Sequence, residues 1–497
     1  MAGFRVLVLI VLFMISSTYG VEHKGNQCSE ELDGGRPRGG RFRSMMPKKW
    51  KACGDGNAGS PLFLTPFIYN GSIDQAVKLS RVEGVGEVAS YSGYLTVNEK
   101  YGSNMFFWFF PAQEDPENAP VVLWLQGGPG ASSLFGLFVE LGPLSATKDG
   151  KIGEMPVTWN KKFSLLYIDN PVGTGYSFTN DKAGYASNEG DVTRDLFTAI
   201  NQFFAIFENY QTNGFYVTGE SYAGKYVPEL CRRIVQWNSG NPHAMINFKG
   251  MAIGDGWTDP LSMYPAYPDL MHQLSVIDSA QAEYAAKVID GSIVPAIARG
   301  DFLEAFMLDD SFMGGDLTKY PTWYFNATGS NNYFNILHTD SPPEEGYFGP
   351  VLVSDAVRRA IHVGNMPYGH GNIVEDLLRA DIANSSLPAF LEVLNSENGL
   401  YKVMVYNGQL DIIVGVPLTE RMCSLMDWPG KTEFISAKRE VWRLSKSDPE
   451  VAGYVRTVRN LQQVVVRGAG HMVPFDQPER ALDMITRFIE GIPFSES

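Results

Sequence analysis

The chain opens with Arg5 ahead of an unbroken apolar run from Val6 to Ile15, closed by Ser16, Ser17, Thr18, Tyr19 and Gly20. Such a run is too short to span a bilayer and fits a secretory signal over residues 1–20, with cleavage after Gly20. The text then turns Gly-rich and basic through Arg36, Arg38, Arg41, Arg43, Lys48, Lys49 and Lys51, with neither helical nor strand period. It reads as a leader over residues 21–60, either a flexible segment or a removable propeptide.

From Pro61 onward, hydrophobic runs and helical patterns alternate. Tyr91–Val97 and Met105–Phe110 read as an antiparallel pair turning at Gly102. Further strand-like runs follow at Val121–Leu125, Ser164–Ile168, Phe215–Val217, Met251–Ile253, Lys402–Tyr406 and Gln463–Val466. Between them, Leu196, Ala199, Ile200, Phe203 and Phe207 share one helix face, as do Ala481, Met484, Ile485 and Phe488 near the C-terminus. This alternation predicts an α/β fold with a mostly parallel central sheet covered by helices on both faces. A stretch rich in Met, Tyr, Asp and Pro breaks the rhythm. It reads as a cap over residues 258–345, inserted between core segments 61–257 and 346–497.

Composition narrows the partners. With 497 residues, 44% apolar and 19% charged, the chain is an ordinary globular one with a large core. Its net charge of −15 disfavours nucleic acid and anionic lipid as partners, and no later run is apolar and long enough to cross a membrane. Asn70, Asn326 and Asn384 each head an Asn-x-Ser/Thr acceptor, usable for glycosylation behind a secretory signal. An extracellular or lysosome-like compartment follows as the expectation, and the sequence leaves room for a homodimer.

Candidate chemistry gathers where predicted strands end, the edge at which α/β sheets build their sites. The strand at Phe215 runs through Gly219-Glu220-Ser221-Tyr222-Ala223-Gly224 into a helix. Small residues two before and two after Ser221 permit the sharp turn that exposes a serine hydroxyl. The strand at Val121 ends in Gln126-Gly127-Gly128-Pro129-Gly130, whose glycines can turn backbone N–H groups toward a developing oxyanion. Asp411 follows the strand at Lys402, and His471 follows the strand at Gln463. The order Ser221, Asp411, His471 is that of the α/β-hydrolases. No His/Cys/Glu spacing suggests a metal, and no cofactor is called for.

The blocks LQGGPGASS, LLYIDNPVGTGYSF, GESYAGKYVPE, GDGWTDP, AIHVGN, YNGQLDIIV and RGAGHMVPFDQPERA resemble the signature motifs of the serine carboxypeptidases. The likeness extends from about Pro61 to the C-terminus and is greatest to the vitellogenic-like branch. It implies an α/β-hydrolase fold and an exopeptidase acting on peptide and protein C-termini. It further implies a triad of Ser221, Asp411 and His471, with an oxyanion hole at the N–H groups of Gly128 and Tyr222. Gln126, Gly127, Glu140 and Glu220 match positions that bind the substrate's terminal carboxylate, and Met472 matches a leaving-residue pocket. Two packed carboxyls retain a proton and can donate it to a third, so an acidic working range is expected.

Three departures from the family pattern stand out: Gln126 and Asp255 where asparagine is usual, and Ala131 where cysteine is common. None replaces a residue of the triad. Of the four cysteines, Cys28 and Cys53 flank the basic leader; three pairings are open to the sequence, and Cys231–Cys423 is the favoured one because both elements are placed near the sheet's active edge. Two rival readings stay open. One is an acyltransferase on the same fold, and the other is a protective or binding protein that keeps the fold without turnover.

Overall fold

The computed structural model describes residues 52–243, 245–318, 320–396 and 399–496. The expected signal, most of the leader and Cys28 lie outside the described residues. Ten strands form the main sheet: β1 (Tyr91–Asn98), β2 (Ser103–Phe110), β3 (Val121–Leu125), β4 (Ser164–Ile168), β5 (Phe215–Glu220), β6 (Phe248–Gly254), β7 (Lys402–Gly408), β8 (Glu440–Trp442), β9 (Gly453–Val458) and β10 (Leu461–Val466). Their spatial order is β1-β2-β4-β3-β5-β6-β7-β10-β9-β8. Every neighbouring pair from β4 to β10 is parallel, and antiparallel strands flank this block on both sides.

The parallel strands are buried on both faces, which explains their continuous apolar text. All residues of β3, β4 and β5 are buried, Glu220 included. The aromatic run of β2 is likewise buried throughout, and the Phe109 and Phe203 rings meet edge to face at 4.9 Å between centroids. Phe203 belongs to α1 (Glu189–Ile206), where Asn188 caps the first turn by accepting from the Asp191 N–H. α2 (Ala223–Gly240) follows β5 directly and packs on α1, β5, β6 and α4 (Leu387–Asn395). The helix α3 (Asn372–Ile382) precedes α4. α5 (Val416–Leu425) packs on β7, and the amphipathic α6 (Pro478–Glu490) closes the chain.

Among the described residues, 258–345 contain helices and turns but no strand of the main sheet. The end of the leader is anchored rather than loose. Cys53 N–H donates to Val353 O at 3.3 Å, Cys53 O accepts from Asp355 N–H at 2.8 Å, and Asp355 Oδ2 accepts from Gly56 N–H at 2.8 Å. Strands β8 and β9 escape the hydrophobic pattern. β8 is three residues long and mostly exposed, and β9 alternates with Tyr454 and Arg456 partly facing solvent.

The expected Cys231–Cys423 bridge is not formed, because both thiols are free and buried. Cys231 on α2 packs among the neighbours of α1 and α4, while Cys423 on α5 belongs to the layer shared with β7 and the Lys431–Ser436 helix. Each acts there as a small hydrophobic residue. Cys53, in contrast, is disulfide-bonded. Iodoacetamide should therefore spare Cys231 and Cys423 in the native protein and alkylate both after denaturation without reductant. Peptide mass mapping checks this, and alkylation of Cys53 under the same conditions would contradict it.

Candidate active site

Ser221 stands in the first position after β5 with φ of 64°, a left-handed backbone that a serine adopts only when its surroundings impose it. The surroundings are specific. Ser221 N–H donates to Gly254 O at 3.0 Å, and Ser221 O accepts from Gly224 and Trp257 N–H, both at 2.9 Å. A Cβ on Gly219 would lie 2.6 Å from Leu125 O and 2.7 Å from the Ala223 Cβ, so both flanking positions must stay small.

The glycine loop is packed onto this turn. A Cβ on Gly127 would come within 2.5 Å of Tyr222 N and 2.7 Å of both Glu220 O and Ser221 Cβ. Gly128 has φ of 108°. Only a loop without side chains can bring its amides so near the serine. The Tyr222 side chain is fixed from the other end, its hydroxyl donating to Asp381 Oδ2 at 2.9 Å. Asp381 in turn pairs with fully buried Lys225 at 3.0 Å, and Lys225 Nζ donates to Asn384 O at 2.7 Å. This buried pair joins α2 to α3.

Asp411 and His471 meet in a fully buried contact, His471 Nδ1 to Asp411 Oδ2 at 2.8 Å. Asp411 is further held by Ile413 N–H on Oδ1 at 2.9 Å and Val414 N–H on Oδ2 at 3.1 Å. These contacts fix the Asp411 carboxyl and turn Nδ1 of the imidazole toward it, with Nε2 on the ring edge away from Asp411. His471 Nε2 has no hydrogen-bond partner among the described residues.

Sequence reasoning missed the segment that joins these loops. Tyr333 O, inside the 258–345 interval, accepts from Ile412 and Ile413 N–H at 3.0 and 3.1 Å. Phe334 O accepts from His471 N–H at 2.7 Å, and the Phe334 ring lies 5.2 Å from the imidazole. Asn335 Nδ2 donates to Asp476 Oδ2 at 3.0 Å, which also accepts from Gly470 N–H at 2.7 Å. The one available signal was the aromatic and amide cluster Asn331 to Asn335, read only as part of an irregular insertion.

The acids expected beside the nucleophile come together. Gln126 receives the Trp124 indole N–H on Oε1 at 2.9 Å, which orients its amide to donate to Glu220 Oε1 at 3.0 Å. Glu140 ends the short π-helix Gly136–Glu140 and is 2% exposed. Glu140 faces Glu220 and Gln126, but neither of its oxygens, nor Glu220 Oε2, receives a well-formed hydrogen bond from a described donor. Burial raises the pKa of both acids, and the charge of Glu140 raises that of Glu220 further. The pair therefore retains a proton at neutral pH. Met472 is buried just after His471. Ser221, Tyr222, Trp257, Tyr267, Ile413 and Val414 help to line a small, largely apolar cleft that opens to solvent.

Residues 81–491 match the serine carboxypeptidase family. The chain belongs to that family. It is 49% identical over 465 residues to the human "Probable serine carboxypeptidase CPVL", covering 92% of this chain and 94% of the relative. It is 48% identical over 460 residues to the "Venom serine carboxypeptidase" of Apis mellifera, covering 91% and 96%. The prohormone-processing carboxypeptidase of Saccharomyces cerevisiae shares the fold, with a TM-score of 0.69 at 23% identity over 84% of this chain and 96% of that one.

Buried acids also govern how this carboxypeptidase responds to pH. Burial pushes Asp169 up to about 7 and Glu345 up to about 8, and raises Glu140, Glu189, Glu220 and Asp255 as well. The folded state thus keeps protons that the unfolded chain releases above about pH 4. The stability they contribute is fully present below that point and is lost as pH rises through the folded values. Thermal unfolding should give a lower Tm at about pH 8 than at about pH 5. A Tm that rises over that interval would show that these acids are ionised in the fold.

Proposed function

We propose that the protein hydrolyses the last peptide bond of peptides and proteins through an acyl-enzyme at Ser221, and works best at acidic pH. The observation that carries this reading is the buried Glu140–Glu220 pair beside Ser221. A proton shared by two carboxyls can be donated to a third, the free C-terminus of a peptide, which places the last peptide bond near the serine. The Gln126 amide orients Glu220 for this task, and Met472 supplies an apolar wall for the leaving residue.

His471 Nε2 takes the Ser221 hydroxyl proton as Oγ attacks the carbonyl carbon. Asp411 holds the imidazole and stabilises its cationic form. The N–H groups of Gly128 and Tyr222 receive the oxyanion. Collapse of the tetrahedral intermediate breaks the C–N bond, and His471 returns the proton to the departing amine. Water, deprotonated by His471, then attacks the ester carbonyl and frees Ser221. The cleft lined by Trp257, Tyr267, Ile413 and Val414 suits an apolar side chain on the acyl side of the bond. An acyltransferase needs an alcohol acceptor and has no use for a carboxylate-recognising acid pair, so the pair favours hydrolysis of peptides.

We further assign the protein to the secretory pathway, ending outside the cell or in an acidic lysosome-like compartment. Exposed Asn70, Asn326 and Asn384 suit glycan attachment there. Residues 61–257 and 346–497 form the hydrolase core in this reading, and 258–345 the cap.

A blocked dipeptide at about pH 5 tests the activity: wild type should release the C-terminal amino acid, and Ser221→Ala should lower kcat at least about a thousandfold. As pH rises and the acid pair ionises, KM should climb as the site becomes doubly negative. Release by wild type that fails at about pH 5, or a KM that stays flat to about pH 9, would sink this reading.

A further inference from the structure

A third ionisable group stands against the Asp411–His471 pair, and the mechanism above makes no use of it. Asp255 follows the last residue of β6, is fully buried, and has φ of 44°. Asparagine and aspartate tolerate that backbone better than other side chains with a Cβ. Its N–H donates to Tyr406 O at 2.7 Å and its Oδ1 accepts from Gly408 N–H at 3.0 Å. Both contacts bind it to β7, the strand that leads into the Asp411 loop. One oxygen of Asp255, one of Asp411 and one ring nitrogen of His471 all lie within 4.8 Å of one another.

Donor accounting separates the two aspartates. Asp411 collects three N–H donors, from Ile413, Val414 and His471, and suits a carboxylate. Asp255 collects one backbone N–H, from Gly408, with the Asn407 side chain as its other donor neighbour, and its buried Oδ2 has no well-formed hydrogen bond among the described residues. A second carboxylate there would be short of donors and repelled by the first, whereas a carboxylic acid brings its own donor. The groups facing Asp255 are Asp411, His471, Asn407, Glu220 and Tyr406. Of these only His471 can carry positive charge. Burial and the Asp411 charge both raise the Asp255 pKa.

We propose that Asp255 is a positioning residue, a neutral carboxylic acid that braces the Asp411 carboxylate so that Asp411 stays aimed at His471 Nδ1. The braced carboxylate keeps the imidazole in the tautomer that can accept the Ser221 proton. An amide at this position could do the same work. An apolar side chain could not. The proposal rests on the peptidase reading above and adds a residue to it.

The test measures kcat and KM for a blocked dipeptide from about pH 4 to about pH 8 in wild type, Asp255→Asn and Asp255→Ala, with circular dichroism melts to establish folding. Asp255→Asn should keep kcat within about threefold, and its acid limb of kcat/KM should coincide with that of wild type. Asp255→Ala should lower kcat about tenfold to a hundredfold, with KM little changed, through loss of one hydrogen bond to a charged group. Wild-type kcat in folded Asp255→Ala would overturn the bracing role. An acid limb displaced by about one unit or more in Asp255→Asn would overturn the neutral state, because removing a charge beside His471 must lower the imidazole pKa. Should Asp255→Ala fail to fold, the acid limb of Asp255→Asn decides alone. A wild type that releases no amino acid overturns the peptidase reading and this proposal with it, while an active wild type with either contrary variant result overturns this proposal only.

Discussion

Withdrawing carboxyl groups from water at one edge of a parallel sheet is the constraint around which this molecule is arranged. Strands β5, β6 and β7 are neighbours, and the chain leaves them through Glu220, Asp255 and the Asp411 loop respectively. All three acids are fully buried, with Glu140 beside the first of them. Ionised side by side, such groups would cost several kcal/mol each. The structure resolves the conflict by unequal solvation. Asp411 alone is surrounded by N–H donors and suits a negative charge, while the others are short of donors and retain protons. Acids of one chemical type thereby gain different tasks from their surroundings alone.

The same economy of space shapes the backbone. Gly127 lies where a Cβ would strike main-chain atoms of the Ser221 turn, Gly219 where it would strike Leu125 O of β3 and the Ala223 Cβ, and Ser221 accepts a left-handed backbone because three main-chain hydrogen bonds pin it. Behind the turn, the Lys225–Asp381 pair is buried completely on the lysine side and makes a further hydrogen bond to the Tyr222 hydroxyl. Breaking such a pair by removing one partner generally costs about 3–5 kcal/mol, because the remaining charge is stranded. Here that loss would fall on Tyr222, the residue directly after Ser221.

Local sequence exposed most of the sheet, because strands buried on both faces must be apolar throughout and their ends must turn. Val121–Leu125 and Ser164–Ile168 could be delimited to the residue. The candidate triad stood out for the same reason, since Ser221, Asp411 and His471 each follow such a run. What stayed hidden was non-local. β8 and β9 carry too little apolar text to stand out, and they exist because β10 offers them an edge. The pairing of Cys231 with Cys423 was inferred from proximity to one sheet edge, but helices on a common edge can face different layers. Asp255 stood out only as a departure from a motif. Its place beside Asp411 depends on the lateral order of β6 and β7, which no short stretch encodes.

The main-chain bonds from Tyr333 and Phe334 to the Asp411 and His471 loops bear on how such a molecule can diversify. A cover that only rested on the core could be exchanged between relatives like a detachable part. Here Tyr333 and Phe334 supply acceptors to Ile412, Ile413 and His471 themselves, so the geometry of that stretch and that of the imidazole are a single inheritance. Recombination between relatives would preserve turnover only where the crossover carries residues 332–336 together with both loops. The neighbouring stretches of 258–345 are free of that tie, and the strip around Tyr333 and Phe334 is bound to the Asp411–His471 contact.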